Sequence, residues 1–277
     1  MSQTNTPHFL LAHKLAGYFA KLPQVEAIAL GGSQTSGSPD ATSDIDLYVY
    51  TRGAEIPLSV RQSILAQSGG ASTANLGLTY WGPGDEWVDA ATGIEVDLVY
   101  FDADWMQQQI NRVILDHQPS LGYTTCFWHT CRHSQSLHDP QGWFASLQTL
   151  SQQPYPEPLR TNIITYNHPV LRQIIPSYFN QIEKAVNRQD LVSLNHRLAA
   201  LFTSYFDILF AVNRLLHPGE KRLLHFARSR CRKLPVDFDS DMEQVMTASA
   251  RPQTDLLLHL TRLLDHLDAL LEAEKFM

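Results

Sequence analysis

Ile28-Ala29-Leu30-Gly31-Gly32-Ser33, followed ten residues later by Ser43-Asp44-Ile45-Asp46-Leu47-Tyr48-Val49-Tyr50, reads as strand, tight turn, short connection and second strand. Asp44 and Asp46 are two apart on the second strand, so both carboxylates point to one face. Two anions on one face repel unless something positive lies between them. A divalent cation is the usual answer, and oxygen-only ligands suit Mg²⁺. The Gly-Gly-Ser turn offers close backbone approach, N–H groups and a hydroxyl, which suit a phosphate. Metal and phosphate together point to phosphoryl or nucleotidyl chemistry.

A third carboxylate lies further on. Ile94-Glu95-Val96-Asp97-Leu98-Val99-Tyr100-Phe101 is rich in β-branched and aromatic residues and reads as a strand. Glu95 and Asp97 share a face. Either one suits a second metal or the proton of an acceptor hydroxyl. Asp97 is favoured because it sits deeper in the apolar run, where a charge is costly unless paired.

The ordered set Gly-Gly-Ser, Asp-x-Asp and later strand carboxylate resembles the DNA polymerase β nucleotidyltransferase superfamily, which includes aminoglycoside and lincosamide nucleotidyltransferases. The resemblance covers roughly residues 20–145, and Leu137-His138-Asp139-Pro140-Gln141-Gly142 resembles the segment that often closes such domains. It implies Gly32 and Ser33 as nucleotide-phosphate contacts, Asp44 and Asp46 as metal ligands, and Asp97 as the third ligand and catalytic carboxylate. It implies one or two Mg²⁺ ions, ATP or another nucleoside triphosphate as substrate, and transfer of a nucleoside monophosphate (AMP first) to a hydroxyl acceptor. An aminoglycoside-like small molecule, an RNA end and a protein side chain are the candidate acceptors. In one respect the chain departs from many relatives: Gln34-Thr35-Ser36 follows the Gly-Ser pair where they carry a basic residue. That departure keeps a second class open, a nucleotide-sensing or interaction module without turnover.

The 277 residues allow one large or two modest domains, and 44% hydrophobic content excludes wholesale disorder. No apolar run approaches a membrane span, and Met1 to Pro7 lacks a secretory signature. Cys126, Cys131 and Cys231 cannot all pair, so a reduced, cytoplasmic protein is expected. Cys126, His129, Cys131 and His133 crowd into eight positions, too cramped for a usual structural zinc site. The net charge is −7, and residues 1–150 carry 6 Lys and Arg against 14 Asp and Glu. That acidity argues against broad nucleic-acid coating and favours a cationic acceptor.

The expected architecture is α+β: a small mixed-sheet nucleotidyltransferase domain over 1–150, then an all-α helical bundle over 151–277. Apolar spacing predicts helices over Phe9–Leu22, Pro57–Gln67 and Trp105–His117, with strands over Leu76–Trp81 and Val88–Phe101. Pro154-Tyr155-Pro156-Glu157-Pro158 marks the boundary. Beyond it, helices are expected over Ala199–Leu216 and Gln253–Ala273. Lys221 opens a basic stretch reaching Lys233, in which Lys221, His225, Arg228 and Arg232 would align as one helical stripe. Such a stripe suits a triphosphate or an anionic acceptor, and Lys221 is the candidate cation to replace the one missing after Ser33. The run Phe206–Arg214 with Pro218–Arg222 also resembles the helical domain of bacterial nucleotidyltransferase relatives, which draws attention to Asn213, Glu220 and Lys221.

Overall fold

The computed structural model describes residues 6–32, 44–80, 82–251 and 254–277. Among these lie six strands in one mixed sheet and eleven helices. The fold is α+β, with a helical region after the sheet. Contacts divide the chain into two compact units: residues up to 111 with 130–153, and 112–129 with 154–277.

The first unit holds the sheet. Its strands are β1 (Val25–Leu30), β2 (Ile45–Thr51), β3 (Ala71–Leu78), β4 (Gly84–Asp89), β5 (Glu95–Asp102) and β6 (Gln135–His138), in the order β3-β4-β5-β2-β1-β6. β2 and β5 run parallel, and every other neighbouring pair is antiparallel. Helix Pro7–Phe19 is capped by Thr6, whose hydroxyl accepts from Phe9 N, and opens on Pro7, which fits the first turn. It buries Leu11, Leu15 and Phe19 in a core with Ile28, Ile45, Leu47, Val96 and Leu98. These strand residues alternate with Asp46, Tyr48 and Asp97, so the opposite sheet face carries the carboxylates. The far end of that face is covered: Tyr50 stacks on Phe144 at 5.3 Å, within helix Trp143–Ser151. Asp139 accepts from Phe144 N and Ala145 N at the start of that helix, which gives the Leu137–Gly142 segment its local role.

One buried carboxylate anchors the core side. Asp85 on β4 accepts from Arg61 Nη1 at 2.7 Å, Gly77 N at 2.7 Å and Tyr100 Oη at 2.6 Å.

Several element boundaries differ from expectation. Helix Pro7–Phe19 stops three residues before Leu22, and helix Ala103–Ile114 is shorter than Trp105–His117 at its C-terminal end. The single strand expected over Val88–Phe101 is two strands. Between them the Asp89 carboxylate accepts from Thr92 N and Thr92 Oγ1, and Gly93 takes φ +70°. That Asx-type turn reverses the chain. β3 starts at Ala71, five residues before the expected Leu76, and Trp81 lies outside the described residues.

In the second unit, helix Leu191–Val212 is the central element, buried along Leu194, Leu198, Leu201 and Tyr205 to Val212. It begins eight residues before Ala199, because Asp190 caps it by accepting from Ser193 N. The expected basic stripe does not form. Helix Leu223–Arg230 starts after Arg222, which has φ +57°, and ends where Cys231 turns extended. Only His225 and Arg228 of the four stripe residues lie on it. Arg228 pairs with Asp239, and Lys233 pairs with Glu274. Asn213 has a structural task here: its Oδ1 accepts from Arg232 N and Lys233 N, and its Nδ2 donates to Lys233 O.

Two buried titratable groups in this unit pull stability in opposite directions. Asp207 accepts from Thr124 N and Thr124 Oγ1, and burial pushes its carboxyl up to about 7. Burial, with His129 nearby, pushes His217 down to about 3. The raised Asp207 value favours the fold below the unfolded value of about 4, and that contribution is lost as pH rises to about 7. The depressed His217 value does the reverse: its contribution is present above about 6.5 and is lost as pH falls toward about 3. The two slopes oppose each other between about pH 4 and 6.5. Asp207→Asn removes the first. Urea denaturation across this range should show the variant gaining stability relative to wild type as pH rises. Parallel profiles would contradict the assignment.

Candidate active site

β1 ends at Leu30, and the chain turns through Gly31 and Gly32. Gly31 N donates to Asp46 O at 2.9 Å, which ties the turn to β2. Each glycine answers to a different side chain on the same β2 face. A Cβ on Gly31 would lie 2.2 Å from Tyr48 Cε2. A Cβ on Gly32 would lie 1.6 Å from Asp46 Oδ2, and Gly32 also takes φ +64°, a region costly for other residues. Only glycine at both positions lets the turn close onto the carboxylate.

Asp44 precedes β2, and Asp46 lies within it; both are half-buried. The parallel β2–β5 register sets Asp46 beside Asp97. The antiparallel β4–β5 register sets Glu86 opposite Asp97. Asp46, Asp97 and Glu86 thus form a row across three adjacent strands on one face. Like charges opposite one another are destabilising. Glu95, at the start of β5, is exposed and stands opposite Val88 instead. Beside this row lies a cleft of about 310 Å³, lined by Asp44, Asp97, Glu95, Glu86, Thr73 and Asn75 among others, with no Lys or Arg among the described residues. Tyr48 feels the row directly: burial, then the charges of Asp46, Asp97 and Asp44, raise its phenol well above the ordinary value.

No known protein family matches the sequence, and no curated protein does. Solved structures do show a likeness. The chain is similar to a nucleotidyltransferase-like protein from Exiguobacterium sibiricum 255-15, at 14% identity and a TM-score of 0.43, over 96% of this chain and 74% of that one. It is also similar to E. coli MS115-1 CdnC, solved with ATP, at 15% identity and a TM-score of 0.29, over 92% and 88%. Similarity at this level says nothing of chemistry, which has to come from the residues.

Of the residues singled out by sequence, Gly32 comes from the turn, Asp46, Asp97 and Glu95 from two adjacent strands of one sheet, and Asp44 from the position just before the first of them. Ser33 and the Gln34-Thr35-Ser36 run lie outside the described residues. Lys221 belongs to the other unit, at an exposed turn before helix Leu223–Arg230. Among the described residues, no group of three or more His, Cys, Asp or Glu side chains is gathered tightly enough to hold a metal ion. That covers Cys126, His129, Cys131 and His133, on one helix where Cys131 is buried and Cys126 half-buried, and burial pushes each thiol up to about 11. Among the described residues, no helix is long and apolar enough to cross a membrane.

Two site residues escaped the sequence reading. Tyr48 looked like one more aromatic of a buried strand, although its spacing from Asp46 already placed it on the carboxylate face. Glu86 carried no local signal, because only the sheet order brings it beside Asp97.

Proposed function

We propose that this chain is a Mg²⁺-dependent nucleotidyltransferase that moves a nucleoside monophosphate from a triphosphate, ATP first, to a hydroxyl acceptor. The observation that carries this reading is the in-register pair Asp46 and Asp97, set beside a glycine turn that is bonded to Asp46's own backbone. The donors suit the ion in kind, since Asp44, Asp46 and Asp97 offer only oxygens and their shared face puts like charges together at a cost that a divalent cation would offset, although as placed they are not gathered tightly enough to hold it. Bound there, Mg²⁺ would neutralise phosphate charge and polarise the α-phosphorus.

The chain's own groups supply the rest. Gly32 and Ser33 take the phosphate end of the nucleotide, as the family resemblance implies. Asp97 takes the proton of the acceptor hydroxyl. The acceptor oxygen bonds to the α-phosphorus, the bond from that phosphorus to the bridging oxygen breaks, and pyrophosphate leaves. The cleft's acidic lining favours an acceptor carrying positive charge, such as an aminoglycoside.

The second reading, a nucleotide sensor without turnover, draws on the neutral Gln34-Thr35-Ser36 segment. One experiment separates the two. The chain is incubated with labelled ATP, Mg²⁺ and a panel of hydroxylated amines, RNAs and proteins, and pyrophosphate is measured. The enzyme reading expects acceptor-dependent pyrophosphate that disappears on chelation. ATP binding without pyrophosphate across the whole panel favours the sensor.

A further inference from the structure

We propose that Tyr48 contacts the ligand, its hydroxyl donating a hydrogen bond to the phosphate end of a nucleotide seated on the Gly31–Gly32 turn. This rests on the nucleotidyltransferase reading. Three observations converge on it. Tyr48 stands two residues past Asp46 on β2, and so projects from the carboxylate face. Its ring lies against the turn: a Cβ on Gly31 would meet Cε2 at 2.2 Å and Oη at 3.0 Å. The missing Cβ of Gly31 therefore makes room for the phenol, and the hydroxyl end reaches the turn itself. Phe101 flanks the same ring with centroids 5.9 Å apart, which restricts its movement.

The chemistry selects the role. Ionised Asp44, Asp46 and Asp97 are acceptors only, as are phosphate oxygens. A phenol is protonated at neutral pH and can donate to either. The three residues after Ser33 carry no cation, so a neutral donor at the turn supplies part of the missing hold on phosphate.

The test uses the full chain and Tyr48→Phe, which keeps the ring against Gly31 and deletes only the hydroxyl. Mg·ATP and Mg·tripolyphosphate are titrated calorimetrically into each protein. Losing a hydrogen bond to a charged group should weaken both ligands about tenfold or more, with the melting temperature unchanged. Tyr48→Leu removes the ring as well and reports packing. Equal affinities for wild type and Tyr48→Phe, with loss confined to Tyr48→Leu, would show a packing role and overturn the proposal. Weakening of ATP but not of tripolyphosphate would also overturn it, since the contact would then lie at the sugar or base. If wild type binds neither probe, the nucleotidyltransferase reading fails and Tyr48's role fails with it. If wild type binds both and Tyr48→Phe is unchanged, only the Tyr48 assignment fails.

Discussion

Asp46→Asn is expected to lower pyrophosphate release about a thousandfold, the loss of several kcal/mol of transition-state stabilisation when one carboxylate of the set turns neutral. The substitution is nearly isosteric. The Gly31 N–H bond goes to the Asp46 backbone oxygen and is kept. The side chain still fills the space left by the absent Cβ of Gly32. Removing the charge also relieves repulsion with Asp97, its in-register neighbour on β5. Thermal stability should therefore hold steady or rise slightly while activity collapses. Pyrophosphate release and a circular-dichroism melt on the same preparation check both halves. Full transfer by a folded Asp46→Asn protein would rule the mechanism out.

Asp85→Ala should produce the largest stability effect, about 3–5 kcal/mol, as expected when one partner of a buried ion pair is removed. Asp85 is 1% exposed and satisfies three donors at once: Arg61, the Gly77 amide and the Tyr100 hydroxyl. Alanine leaves all three without that partner. Arg61 suffers most, because its side chain is only 15% exposed and its Nε is already buried without a hydrogen bond. Its guanidinium keeps the Tyr100 ring face, 5.0 Å away. Urea denaturation followed by tryptophan fluorescence would measure the loss. A change under about 1 kcal/mol would mean that the pair contributes little net, as surface pairs do. Asp85 lies on the opposite sheet face from Glu86, so this variant reports on the scaffold rather than on the cleft.

The α+β architecture and the strand–turn–strand around the carboxylates were legible because their signals are local. Period-two alternation over Ile45–Val49 already separates an apolar face from an acidic one. What stayed hidden depended on partners or on backbone detail. Glu86 joins Asp97 only through strand order, which no single strand encodes. Ala90-Ala91-Thr92-Gly93 gave little warning of a reversal, since the decisive bond comes from Asp89, itself counted within a strand. Gln135–His138 is too short and too polar to announce β6. The basic stripe failed for another reason. Helical periodicity tells which residues align if a helix continues, but not where it stops. Arg222 and Cys231 break it through their backbone angles, and no proline or glycine between them marks the place.

The parallel β2–β5 pairing puts a limit on how this protein can change length. Inserting one residue inside either strand would reverse its inward and outward positions beyond that point, turning carboxylates toward the core and apolar side chains toward solvent. The connection between them, residues 52–94, contains a helix and a hairpin, with exposed tips at 53–55 and 79–80. Length changes in those tips leave the ladder between Asp46 and Asp97 untouched. The scaffold is thus rigid in reading frame where the acids stand and permissive around them, so new loops could be explored beside the cleft without dismantling it.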